Sequence, residues 1–355
     1  MSLTDTRVLR LALGTTLAMA LAQGVAWPFA FITPVFTAMF LAAPAPCPSR
    51  PTVIVLVAAI LATGVSGLLL ALTLLPYLLA YVCALVLIYF LLFHALSGGA
   101  NPFMVIMILV GVTAIPVLGQ VSLSLALVFA VGFSFSGIAA MGLVLLSHGL
   151  VPDPATPNAQ PVKAPGRTVP SADQRLHAAI VSTAVVAPVA ICFCLFELTG
   201  ELVTLIFIVM MSVQPELSAG IKASKKNLVG ALVGGLLSIV FYELVVVAPS
   251  FTFLVLLTFA AMLVLGSQIF SGGPSAALYA ASLSTFLIIV GGAIGSEDAE
   301  AGSKFYLRIL QIALAGLYVV VMFSLLEVNL ARRQRKARVS PAPPQTPRAN
   351  DVMIP

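Results

Sequence analysis

The chain has 355 residues, 61% of them hydrophobic and only 8% charged, with a formal net charge of +5. Soluble domains carry about 25% charged residues, so this composition excludes an ordinary water-solvated domain and points to a bilayer as the main solvent. The basic excess does not indicate a nucleic-acid partner, because Lys and Arg sit in short flanks of apolar runs, where they act as a topology signal.

Several runs reach or approach the roughly 20 apolar residues needed to cross a bilayer. Inside hydrocarbon every backbone polar group must find a partner within the protein, so spanning segments are helices or a closed barrel. The runs are continuous rather than alternating with period two, which selects helices. A first set is expected at 7–26, 28–44, 52–74, 76–96, 102–118 and 121–149. Arg7 and Arg10 precede the first run, and Ala18-Met19-Ala20 offers a signal-peptide cleavage site. A retained helix is preferred, because Arg175 and His177 open a similar run in mid-chain, where no signal peptide can lie. Residues 150–174 are rich in proline and read as a solvated, extended linker. A second set is expected at 175–196, 199–215, 226–248, 250–270, 274–294 and 304–331, followed by a basic, disordered tail over 332–355.

The sets echo one another. Ile32-Thr33-Pro34-Val35-Phe36-Thr37-Ala38-Met39 aligns with Val203-Thr204-Leu205-Ile206-Phe207-Ile208-Val209-Met210, and Pro44 and Pro215 fall in the same register. Ser97-Gly98-Gly99 matches Ser271-Gly272-Gly273. The glycines of the third run in each set, Gly64 and Gly67 against Gly230, Gly234 and Gly235, do not settle into one register. The expected fold is therefore an all-α polytopic membrane protein of about twelve transmembrane helices, built as two parallel six-helix repeats (1–149 and 175–331) with a pseudo-two-fold axis along the membrane normal. With both termini in the cytoplasm, Arg50 and the loop lysines Lys222, Lys225 and Lys226 fall inside, as do the linker and the tail arginines; of the 17 basic residues only Lys304 and Arg308 fall outside.

The spacing shows no hydrolase, kinase, phosphate-loop or metal motif, no cofactor is implied, and the chain is not read as an enzyme. Cys47, Cys83, Cys192 and Cys194 lack metal-ligand spacing and read as small hydrophobes. Intramembrane charges are costly and tend to mark pathways. Lys304, Arg308 and Gln311 lie at i, i+4, i+7 on one helix face, where Arg308 could hold a carboxylate bidentately; snorkelling to headgroups is the plainer reading. Glu243 is expected at a similar depth, as an ion-pair partner for Arg308 and a proton carrier. Glu216, beside three lysines at a helix end, is a candidate gate or a simple ion pair. Pro34, Pro116 and Pro188 sit inside apolar runs and invite kinks, which makes Thr33 and its partner Thr204 candidates for the substrate pathway. Trp27 reads as an interfacial anchor.

A basic start to the first helix (Arg7), Trp27 at the turn into the second, Pro44 at its end, and a basic loop followed by a Gly-rich helix (Lys222, Lys225, Lys226, Gly230, Gly234) resemble the fusaric acid resistance and aromatic acid exporter family. The resemblance covers both six-helix halves, but the short linker leaves no room for the cytoplasmic domain of larger members. It implies export of aromatic or other organic acids as anions across a bacterial inner membrane, driven by the proton gradient and paired with a periplasmic membrane-fusion adaptor. The wider clan is similar to plant aluminium-activated malate channels, which implies a passive anion channel as the alternative. A membrane scaffold or accessory subunit without transport is the third reading. Two sixes can close a pore within one chain or within a homo-oligomer.

Overall fold

A computed structural model describes residues 2–43, 45–154, 171–198, 202–213, 217–273, 275–294 and 301–339; within them, the side chains of 203, 217–227, 301–305, 308 and 327–339 lie outside the description. The described residues form helices α1 (Leu3–Val25), α2 (Ile32–Ala42), α3 (Arg50–Leu74), α4 (Leu78–Ser97), α5 (Pro102–Val121) and α6 (Leu123–Leu150). After the linker come α7 (Ala172–Leu195), α8 (Leu202–Met211), α9 (Leu217–Val247), α10 (Phe251–Ile269), α11 (Ala276–Ile294) and α12 (Ala301–Val339). Ten of these contain a stretch long and apolar enough to cross a membrane, which makes the chain a polytopic membrane protein.

Local chemistry sets the helix starts. Ser2 and Asp5 form a reciprocal capping box on α1, both bonds being 3.1 Å, and Ser171 and Gln174 do the same on α7. Asn101 caps α5 ahead of Pro102, whose missing N–H costs nothing at the first helical position. Ser122 and Ser250 cap α6 and α10.

The structure departs from the sequence reading in four places. First, α2 and α8 are short, at 11 and 10 residues. At 1.5 Å per residue each is about 16 Å long, roughly half the hydrocarbon thickness, so neither spans as a helix. Second, Pro34 lies in the first turn of α2, where N–H groups have no intrahelical partner, so it makes no interior kink. Pro116 and Pro188 do lie inside α5 and α7, and the Tyr318 hydroxyl donates to Val185 O (2.9 Å), three residues before Pro188. Third, the expected basic loop is helical: α9 begins at Leu217, so Lys222, Lys225 and Lys226 stand on its opening turns. Lys, Leu and Ala are good helix formers, and the nearest breaker, Pro215, precedes them. Fourth, α12 continues to Val339, through the arginines assigned to the tail.

Packing partners recur between the two sets. α3 packs on α5 and α6, and α9 packs on α11 and α12; α2 packs on α6, and α8 on α12; α4 meets α5, and α10 meets α11. Between the sets, α1 lies along α10 and α4 along α7, while α2 meets α11 and α5 meets α8. In lipid no hydrophobic force draws helices together, so close backbone approach has to supply the attraction. Two crossings do so most closely. A Cβ on Gly111 would collide with Thr63 O and one on Gly67 with Gly111 O, which brings the α3 and α5 backbones into contact. On the other side, a Cβ on Gly234 would fall 2.5 Å from Ser282 O, and one on Gly230 would fall 2.7 Å from Ala281 Cβ. The glycines that gave no common register from sequence thus do the same job on α3 and α9.

Several buried polar side chains pair inside the bundle. Tyr89 and Thr113 share a 2.8 Å hydrogen bond, and Arg10, 3% exposed, donates to Val151 O (2.8 Å) and Asp153 (2.6 Å). The latter pair ties the start of the linker to α1.

Gly111→Ala is expected to destabilise the protein by about 1–3 kcal/mol, the cost of overpacking a closed contact. Gly142→Ala, at an exposed site with nothing within 4 Å of an added Cβ, should leave stability unchanged or slightly raised. Thermal unfolding of both variants in one detergent checks this, and equal melting temperatures would remove the close crossing as a stabilising contact.

Candidate functional site

The two short helices wall a cavity of about 300 Å³ where the helix sets meet. Val35, Phe36 and Met39 line it from α2, and Ile206, Phe207 and Met210 from α8. In the register that aligns Thr33 with Thr204, these are matching positions. Met107 and Val110 line it from α5, Ala281 and Ser284 from α11. These too match, in the register that aligns Ser97 with Ser271.

The walls nevertheless differ in chemistry. Phe129 and Phe133 of α6 join Phe29 and Phe36 on the first side, with edge-to-face pairs at 4.8 Å (Phe29–Phe129) and 5.3 Å (Phe36–Phe133). The opposite wall carries the cavity's hydroxyls, Ser284 and Thr285 of α11. Ser284 donates to Ala281 O at 3.0 Å and Thr285 to the same oxygen at 3.4 Å. No charged side chain among the described residues lines the cavity.

One residue of α6 holds the aromatic wall in place. The α1–α2 turn passes through left-handed backbone at Ala26 (φ 52°) and Phe29 (φ 62°), which is unfavourable for a residue with a Cβ. Ser136 offsets that strain from mid-helix. Its Oγ accepts from Trp27 Nε1 (2.9 Å) and donates to Phe29 O (3.3 Å), while its carbonyl accepts from Thr33 Oγ1 (3.4 Å). Pro28 O rests on Gly132, where a Cβ would come within 2.5 Å. Trp27, expected as an interfacial anchor, is half-buried; its indole makes an edge-to-face contact with the exposed Phe135 at 5.1 Å.

Of the sequence-predicted residues, Thr33, Thr204, Gln311 and Glu243 are not among those that line the cavity. Thr33 is fully buried against α6, and its own carbonyl accepts from Thr37 (2.8 Å). Thr204 is half-buried on α8, outside the cavity lining, and Gln311 is half-buried on α12. Glu243 lies on an exposed face of α9 and accepts a 2.6 Å hydrogen bond from Tyr306 of α12. Arg308 and Lys304 lie on α12 with side chains outside the description, so their expected carboxylate face and the Glu243–Arg308 pair lie outside the described contacts; Glu216 lies outside the described residues altogether. The cavity residues themselves went unremarked in sequence, although Phe36/Phe207 and Met39/Met210 stand within the aligned echo.

Helices of this length and apolarity around an internal cavity define a multi-pass membrane protein with a small-molecule-sized site. Residues 7–146, from the first turns of α1 to the last turns of α6, match a family model described as a protein of unknown function (DUF2955). No curated protein matches, and no solved structure matches.

Ser136→Ala is expected to cost about 1–3 kcal/mol, because buried groups on the turn lose their partner. Trp27 is the sole tryptophan, so its fluorescence reports the change directly. Emission and melting temperature that both stay at wild-type values would rule out Ser136 as the clamp of the turn.

Proposed function

We propose that this protein is a transporter that exports aromatic or other organic acids across a bacterial inner membrane, through the cavity between α1–α6 and α7–α12. The observation that carries the reading is the position of the cavity. It lies where the two helix sets meet, walled by matching positions of each, and transporters built from repeats hold their substrate at the repeat interface. The recurrent packing partners and the two Gly-mediated crossings support two parallel halves related by a pseudo-two-fold axis. A scaffold would have no need of a lined cavity, and small-molecule sites are of this kind: concave, mostly apolar, with a few polar groups. The channel reading depends on Arg308 as a pore charge, whereas the lining described here offers an anion no cation. Glu243, bonded to Tyr306 between α9 and α12, is the candidate for coupling transport to protons. The distribution of Lys and Arg supports cytoplasmic termini, and a periplasmic adaptor remains the expected partner.

Reconstituted in liposomes, the protein should move aromatic carboxylates several-fold faster when a pH gradient is imposed. Equal flux with and without the gradient would point to a passive channel, and the absence of flux across a broad panel to a scaffold. Orientation has a separate check at Cys47, an exposed thiol between α2 and α3. With the other three cysteines changed to alanine, Cys47 should react with a membrane-impermeant maleimide only after the cells are permeabilised; labelling of intact cells would invert the topology.

A further inference from the structure

We infer that the cavity binds its cargo uncharged and in one orientation, with an aromatic ring against the Phe wall and a hydroxyl or protonated carboxyl group directed at Ser284. That the molecule is cargo rests on the transport reading; the binding does not.

Three observations carry the inference. The first is hydrogen-bond polarity. The Ser284 hydroxyl donates to Ala281 O at 3.0 Å. A hydroxyl has one donor and two acceptor lone pairs, so while that bond holds, what Ser284 offers a ligand is acceptor capacity. An O–H on the ligand satisfies it. A carboxylate, which only accepts, is met only if that bond is broken.

The second is charge. With no charged side chain among the described lining residues, an anion in the cavity would be desolvated without a partner, and an ionisable group in that position takes up a proton instead. An acid therefore enters this cavity in its protonated form.

The third is asymmetry. Phe36 and Phe207 occupy matching positions, but the further rings, Phe29, Phe31, Phe129 and Phe133, all come from the α1–α6 set, and the side-chain hydroxyls stand on α11 alone. An edge-to-face array favours another ring over a flexible chain. A cavity of about 300 Å³ lies at the small end of ligand pockets, which fits a single-ring compound better than a lipid.

Calorimetric titration of the full chain in detergent tests this with benzyl alcohol, toluene and benzoate. Benzyl alcohol should bind equally at neutral pH and below the pKa of benzoic acid. Benzoate should lose ~10-fold or more in affinity on going to neutral pH. Ser284→Ala keeps the room but removes one acceptor, so it should weaken benzyl alcohol toward the affinity of toluene and leave toluene unchanged. Ser284→Trp fills the cavity and should abolish binding of all three; if that variant does not fold, the alanine variant carries the comparison. Benzoate binding at neutral pH as tightly as benzyl alcohol would overturn the inference. So would benzyl alcohol binding that Ser284→Ala leaves unchanged, or a phospholipid that native mass spectrometry shows bound and benzyl alcohol fails to displace. Binding with this pattern but no flux in liposomes would end the transport reading and leave the site standing.

Discussion

Hydrocarbon tolerates non-helical backbone only where protein covers it, and the architecture follows from how that rule is met at the α1–α2 turn. Residues 26–31 leave helical geometry beside the middle of α6, with two left-handed residues. Ser136 supplies both an acceptor and a donor, and Gly132 lets the Pro28 carbonyl lie flat against α6. From that turn α2 runs back as a helix of only 11 residues. Its short length leaves space that α5, α8 and α11 enclose as the cavity. Trp27's place in this network gives its indole N–H a partner within the protein.

The Gly-mediated crossings meet a different demand. Apolar side chains gain nothing by leaving lipid for one another, so the bundle needs contacts that lipid cannot imitate. Backbone against backbone, as at Gly67–Gly111 and Gly234–Ser282, is such a contact. These rigid pairs flank the cavity: α5 and α11 each present one face to a Gly-bearing partner, α3 or α9, and another to the lining.

Much of the fold was legible because membrane helices declare themselves by length and apolarity. α10 was expected at 250–270 and runs Phe251–Ile269; α11 was expected at 274–294 and runs Ala276–Ile294. What hydropathy could not reveal was where an apolar run stops being helical, since Trp27–Phe31 is as apolar as the helix it precedes. The lysines of α9 misled for the opposite reason: charge marks a topology boundary, but Lys is also a good helix former, and the helix runs on through it. The candidate site was less legible. Arg308, Glu243 and Glu216 stood out because charge is rare in such a chain, whereas Phe, Met and Ser are common there. Their significance comes only from being brought together across α2, α5, α6, α8 and α11.

That contrast bears on how such a protein would specialise. If the two halves descend from one six-helix unit, the shared frame fixes which positions face the cavity, and it does so for both halves at once. Chemistry then changes by substitution at matched positions: Met107 against Ala281, Val110 against Ser284. Each change on the α11 side swaps volume or apolarity for a smaller or hydroxyl-bearing side chain, while α6 keeps its phenylalanines on the other. A symmetric cavity would bind a ring in two equivalent poses. The two walls here are not equivalent: the side-chain hydroxyls stand on α11 and the added phenylalanines on α6.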